Sequence, residues 1–271
     1  MPELPEVETI ARGLDRQVAG DVIESVWLGS KPEPLKSSAT ELVAALQARK
    51  ISRVRRAGKH IVFDLEPTTN DGNGNAQWIV HLGMTGSLVV SSPEREREKH
   101  THAVLQLASG RELRFTDPRR FGRLSVIEDF EPPGVEPLQI SADNFAALFR
   151  GRKTPIKSAL LNQRLLSGVG NIYADEALFR AGIRPRRRAA SLTRDELKRL
   201  HLALKRVLRE AIRFGGSSVS DYVDSDGEEG FFQLKHRVYG REGKPCLVCK
   251  TPIKRIVIAG RSSHYCPQCQ R

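Results

Sequence analysis

All four cysteines of the 271-residue chain lie in its last 26 positions, as Cys246-x-x-Cys249 and Cys266-x-x-Cys269. Two thiolates three residues apart on a tight knuckle can take neighbouring corners of a tetrahedron, and a second knuckle completes it. The spacing predicts one structural Zn2+ ion, because four thiolates leave no coordination position open for catalysis. The alternative is a pair of disulfides, which a cytoplasmic setting disfavours. A tail this short builds no core, so the metal would supply its folding energy. Residues 251–265 read as the hairpin between the knuckles, turning near Ala259-Gly260. Arg261 beside that turn is either a solvated charge or a phosphate contact.

Other groups could do chemistry. Glu3 and Glu6 stand at the start of the first helical pattern, where acids also simply stabilise a helix dipole. Gly168-Val169-Gly170 permits a sharp turn, and Asn171 opens a new helix whose N–H groups attract phosphate. Asn171 as a plain cap is the competing reading. Met84, the only methionine besides Met1, sits in a tight Gly83–Gly86 segment, and Phe121 follows Arg119-Arg120 between Pro118 and Gly122. Core packing would be the default for both.

Lys and Arg total 44 against 32 Asp and Glu, a net charge of +12. A folded protein this basic usually meets a polyanion, most often nucleic acid. The charge is clustered at residues 53–59, 119–123, 184–188 and 235–271. Together the clusters suggest several strips gripping one backbone, although each could be a solvated surface. No apolar run approaches the ~20 residues of a membrane span. The acidic MPELPEVETI start is unlike a signal peptide, so a cytoplasmic location is expected.

Elements must position these groups. Val7, Ile10, Leu14 and Val18 recur at helical steps behind Pro5. Strand patterns follow at 22–28, 51–55, 61–65, 78–82, 87–91, 103–107, 113–116 and 124–127, interrupted by a short helix around 40–48. Many short strands with tight turns read as a sandwich or barrel. Residues 131–137 form a linker, and helices are predicted after Ser141 and at 155–165, 171–181 and 193–214. Residues 70–75 read as a surface loop, and residues 215–230 carry no hydrophobic period.

With PELPEVE at the start, HLGMTG at 81–86, DPRRFG at 117–122, GVGNIYADE at 168–176 and the cysteine tail, in that order, the chain resembles the bacterial formamidopyrimidine-DNA glycosylases along essentially its whole length. The resemblance implies an α+β fold: an N-terminal β-sandwich with flanking helices (residues 1–135), a helix–two-turn–helix domain with a base-capping loop (136–230), and a zinc-ribbon β-hairpin (231–271). It implies an enzyme that removes 8-oxoguanine and formamidopyrimidines from double-stranded DNA and then nicks the abasic strand. A monomer is expected, since both domains of one chain serve the DNA. Met1 would be cleaved to leave Pro2 as the nucleophile. An α-amine has a pKa near ~8, so a useful fraction is neutral at cellular pH. A secondary amine attacking C1′ gives an iminium directly, and that electron sink permits β- and then δ-elimination.

In the same resemblance Glu3 protonates the ribose ring oxygen and Glu6 shapes the pocket. Lys59, Lys157, Asn171 and Arg261 match phosphate-gripping positions, with Lys59 and Arg261 counted among the catalytic set, and His100 joins the DNA contacts. Met84, Arg119 and Phe121 enter the duplex to fill the hole left by a flipped nucleotide. Residues 216–223 match the loop that closes over the extruded base. Asn162, where the family usually has Asp, and Ser217-Ser218, in place of a Thr pair, depart from the pattern. Rival readings are an endonuclease VIII-like pyrimidine glycosylase, a non-catalytic zinc-ribbon protein that binds damaged DNA, and an RNA-binding translation factor. Leu4 and the Arg119–Phe121 wedge favour the purine group over the first.

Overall fold

A computed structural model describes residues 1–68, 74–218, 225 and 228–271. The expected surface loop at 70–75 and the capping loop at 216–223 therefore fall largely outside the described residues. Two compact units divide the chain. One comprises Met1–Glu131 with Gly215–Gly230, the other Pro132–Phe214 with Phe231–Arg271.

In the first unit, helix α1 (Leu4–Val18) begins on a reciprocal cap between Glu3 and Glu6. Among the described residues eight strands follow: β1 (Val22–Leu28), β2 (Arg49–Ala57), β3 (His60–Pro67), β4 (Ala76–His81), β5 (Ser87–Ser91), β6 (Thr101–Leu107), β7 (Glu112–Thr116) and β8 (Arg123–Ile127). Helix α2 (Ala39–Leu46), capped by Ser38, lies between the first two. The strands form an antiparallel sheet in the order β5-β7-β6-β1-β2-β3-β4-β8. β1 and β2 share only the pairs Val22↔Lys50 and Ile23↔Arg49. That narrow join lets the sheet divide into two leaves, which is the expected sandwich. One apolar core takes Leu14 and Val18 from α1 together with Ile23, Phe63, Trp78, Leu105, Phe115 and Leu124 from both leaves.

The second unit holds α3 (Ala142–Ala147), α4 (Ile156–Leu161), α5 (Asn171–Ala181), α6 (Arg194–Arg213) and the hairpin of β9 (Lys254–Ile258) and β10 (Arg261–Tyr265). α6 starts on a Thr193–Glu196 capping box and buries Leu197, Leu200, Leu204, Val207 and Leu208. α4 is shorter than the predicted helix at 155–165, because the chain turns at Asn162, whose Oδ1 accepts the Arg164 N–H at 3.0 Å. Asp at this position would supply the same acceptor, so the departure costs a charge and not the turn.

Two boundaries differ from the sequence expectation. The ribbon packs in the same unit as the helices, because Phe179, Val238 and Ile253 share a cluster with Cys246 and Cys266. Residues 215–230 count with the first unit, where the Ser217 N–H meets Glu6. The neck of that inserted segment is closed by a 2.8 Å bond from the Phe231 N–H to the Phe214 carbonyl. Among the described residues, no helix is long and apolar enough to cross a membrane.

Candidate active site and nucleic-acid interface

The start of α1 gathers the first group. Glu3 and Glu6 are both buried. The Glu3 N–H donates to Glu6 Oε2 at 2.8 Å, and the Ser217 N–H donates to Glu6 Oε1 at 2.8 Å. Gly216, at φ +84°, lies so close that a Cβ there would sit 2.9 Å from Glu6 Cγ. Lys59 is buried in the tight turn between β2 and β3, next to Gly58 at φ +62°. Burial holds the amine at the chain start below the usual α-amine range. Glu3 and Glu6 oppose that shift, and Lys59 and Arg119 reinforce it. Glu3, Glu6, Lys59 and Arg119 therefore all act on the amine of Met1, the residue before Pro2. This is the chemistry of an amine nucleophile beside an acid.

The wedge candidates lie in two loops. Met84 is 44% exposed and Phe121 50% exposed, against the packing default for both types. The Arg119 guanidinium stands 4.7 Å from the centre of the Phe121 ring. The loops touch through backbone: a Cβ on Gly83 would fall 2.5 Å from the Phe121 carbonyl carbon. His81 Nδ1 accepts the Gly83 N–H at 3.1 Å. Burial lowers the His81 pKa to about 4, so the ring stays neutral and keeps that acceptor. Between the loops lies Asp117, fully buried, which the sequence marks only as the first residue of DPRRFG. Its signal was legible: Asp followed by Pro is a type I turn opening, and the Asp side chain caps the turn. His100 is exposed, and its carbonyl accepts the Asp117 N–H at 2.9 Å.

In the second unit, Gln163 shapes the glycine turn. Its Nε2 donates to the Val169 carbonyl at 2.8 Å and its Oε1 accepts the Gly168 N–H at 2.9 Å. Gly170, and not Asn171, caps α5. Asn171 is thereby left to face β10, with Nδ2 3.4 Å from Ser262 Oγ, and its buried Oδ1 has no partner among the described residues. Arg261 is exposed at the start of β10 and makes no ion pair among the described residues. Lys157 differs from the expectation of a phosphate-facing cation. It is fully buried, with Nζ 2.6 Å from Asp175 Oδ1 and 2.5 Å from the Ser262 carbonyl. Its charge is already met, because a buried ammonium is stable only when paired. Asp175 Oδ2 also accepts the His264 N–H at 2.8 Å, so this carboxylate joins α4, α5 and β10.

Within the arginine run 184–188, two side chains are engaged by the protein itself. Arg184 donates to the carbonyls of Gln270 and Pro267 at 2.9 and 3.0 Å, and Arg187 is held by Glu196. These side chains fasten the ribbon's last residues to the helices. Gln270, fully buried, adds a bond from its Nε2 to the Ile183 carbonyl at 2.8 Å.

The cysteine sulfurs all lie within 4.8 Å of one another, and none is in a disulfide. Tetrahedral thiolates 2.3 Å from zinc would stand about 3.8 Å apart. The Cys249–Cys266 and Cys246–Cys269 sulfurs are 3.4 and 3.9 Å apart. The N–H groups of Val248 and Cys269 point at the sulfurs of Cys246 and Cys266 at 3.5 and 3.4 Å, as expected where thiolate charge collects. The four thiols fit one structural zinc. The hairpin turns through Ala259 and Gly260, both at positive φ, as a two-residue loop requires.

Comparison with known proteins places these features in context. Residues 1–124 match the formamidopyrimidine-DNA glycosylase N-terminal domain, 133–223 its H2TH domain, and 243–271 the zinc finger found in FPG and IleRS. A formamidopyrimidine-DNA glycosylase of Solibacter usitatus is 47% identical over the whole of both chains. The crystal structure of a MutM (FPG) protein from Thermus thermophilus is 43% identical, with TM-score 0.86 over 99% of this chain and 98% of that one. A MutM structure in complex with carbocyclic 8-oxo-G containing DNA is 31% identical, with TM-score 0.88 over both chains in full.

Proposed function

The chain belongs to the formamidopyrimidine-DNA glycosylase family, and on that premise we propose that it excises oxidised purines through the amine of Pro2. It is a base excision repair DNA glycosylase with abasic-site lyase activity, acting as a monomer on duplex DNA that contains 8-oxoguanine or formamidopyrimidines. It holds one zinc ion through Cys246, Cys249, Cys266 and Cys269, which folds the ribbon and takes no part in bond making. A cytoplasmic location fits this work.

The observation that carries the reading is the place of the chain start: burial lowers the pKa of the Met1 amine, Glu3, Glu6, Lys59 and Arg119 act on it, and Pro2 is the next residue. Removal of Met1 frees the Pro2 nitrogen. Its lone pair attacks C1′, the damaged base leaves with the glycosidic electron pair, and the proton that the nitrogen then sheds goes to the departing base. Glu3 gives its proton to the ring oxygen as the ring opens to an iminium. A base takes a C2′ proton while its electron pair passes into that sink; the pair then expels the 3′ phosphate, and a second elimination expels the 5′ phosphate. Water then releases the sugar fragment and restores the amine. Lys59, His100, Asn171 and Arg261 supply contacts to the DNA backbone. Met84, Arg119 and Phe121 fill the vacated stack, which their exposure supports.

The test is borohydride trapping on a duplex with 8-oxoguanine opposite cytosine. The processed protein forms a covalent adduct. A version with an N-terminal extension that resists removal forms none, because its Pro2 nitrogen is an amide. Binding without adduct or strand cleavage by the processed protein would refute the assignment of Pro2. Preference for a thymine-glycol duplex would move the substrate to oxidised pyrimidines.

A further inference from the structure

We infer that Asp117 is the positioning residue of the wedge, and that Thr85 is the hydroxyl through which it holds the Met84 loop; this rests on the functional reading above. Asp117 is fully buried, and no lysine or arginine side chain pairs with it among the described residues. Its carboxylate is satisfied by dipoles alone. Oδ1 accepts the Thr85 hydroxyl at 2.6 Å and the Arg119 N–H at 3.2 Å. Oδ2 accepts the Gly122 N–H at 2.7 Å. One donor therefore comes from the loop that presents Met84. The other two bracket Phe121 on the loop that presents Arg119.

The backbone of Asp117 extends the same hub. Its N–H donates to the His100 carbonyl at 2.9 Å, and its carbonyl meets His102 Nε2 at 2.9 Å. The Arg120 N–H returns to that carbonyl at 3.2 Å and closes the turn. Arg120 sits at φ +56°, a conformation that a non-glycine residue keeps only when its surroundings enforce it. The strain turns the chain so that Arg119 and Phe121 project side by side. Side chains that wedge open a base stack experience a restoring force from the duplex. A buried charge-assisted hydrogen bond between their loops is the means of resisting it.

No neutral isostere can replace the carboxylate. An asparagine at 117 offers one acceptor oxygen. With its oxygen at the Oδ1 position, the amide nitrogen opposes the Gly122 N–H. With the groups exchanged, the nitrogen opposes the Arg119 N–H. One wedge N–H loses its acceptor either way. At Thr85 the hydroxyl alone is in question, so Thr85→Val removes the donor at nearly constant shape, and Thr85→Ser retains it.

The experiment compares two substrates under single-turnover conditions. Excision from an 8-oxoguanine:cytosine duplex requires the wedge, because a paired base must be unstacked. Trapping at a preformed abasic site requires it far less, because no base remains to extract. Thr85→Val is expected to lower excision about tenfold or more, and Asp117→Asn by at least as much. Trapping at the abasic site changes less than about threefold, and Thr85→Ser stays close to the parent on both substrates. A 2-aminopurine beside the lesion loses its unstacking signal in step with excision. Wild-type excision by Thr85→Val overturns the inference. So does an equal loss on both substrates, which marks a general folding role. Absence of any abasic adduct with the parent protein overturns the functional reading instead.

Discussion

Replacing Glu176 by alanine is expected to loosen the ribbon by a calculable amount. Its Oε1 accepts the N–H groups of Arg237, Val238 and Tyr239 at 2.9, 2.9 and 3.0 Å, and its Oε2 accepts Arg237 again at 3.0 Å. Val238 is fully buried, so its N–H finds no water once the carboxylate is gone. A buried donor left unmade costs about 1–3 kcal/mol, and the half-buried Tyr239 N–H adds part of that again. Glu176→Ala therefore loses about 2–4 kcal/mol, or on the order of 10 °C in the melting of the second unit. Glu176→Gln keeps Oε1 with all three donors and loses about 1 kcal/mol or less. Burial raises the Glu176 pKa, outweighing the N–H donors that favour the charged form. The folded state then holds its proton longer than the unfolded one. Stability from this group is full below pH ~4.5 and is lost as pH rises through the folded pKa. The glutamine variant escapes that loss, so its deficit shrinks as pH rises above ~4.5. Scanning calorimetry of the zinc-bound protein across this range measures both effects. A parallel chromophoric chelator assay reports zinc release, faster in the alanine variant because Val238 packs on Cys246 and Cys266. Equal melting of the alanine and glutamine variants, or an alanine variant within about 2 °C of the parent, refutes the reasoning.

Two further outcomes separate contacts that look alike in sequence. Arg261→Ala is expected to weaken DNA binding uniformly across sequences and to reduce the slope of log K against log salt by about 1. Lys157→Ala strands the buried Asp175 carboxylate, so its main cost is stability, about 3–5 kcal/mol by thermal or denaturant unfolding. Removing zinc with a chelator is expected to unfold the ribbon and weaken DNA binding while the first unit keeps its melting transition. Unchanged binding after verified zinc loss would count against the ribbon's part in it.

The first helix and the eight described strands of the first unit were legible, since Val7, Ile10, Leu14 and Val18 must share one face and short apolar runs between turn residues mark strands. The cysteine spacing specified a metal site because its geometry is local. Exposure of Met84 and Phe121 was expected from the family resemblance alone, since residue type favours burial for both. What escaped the sequence was partnership over distance. Lys157 is buried only because Asp175 meets it from the next helix. Arg184 and Arg187 read as a phosphate strip, yet they are spent on carbonyls and on Glu196. Gln163 and Gln270 carried no periodic signal, since each acts by turning an ordinary polar side chain inward to backbone groups.

The placement of Gly215–Gly230 with the first unit has a consequence for how the protein is made. The donor to Glu6 Oε1 lies 211 residues further along the chain. At ~5–20 residues per second, a ribosome needs roughly 10–40 s to add that stretch. During that interval Pro2, Glu3, Lys59 and the wedge loops have all been synthesised, while Glu6 waits for Ser217. The nascent sandwich must therefore persist with its pocket unfinished through synthesis of the helices α3 to α6. Birth order separates the reactive terminus from the segment that completes its surroundings, so the pocket can be finished only late in translation.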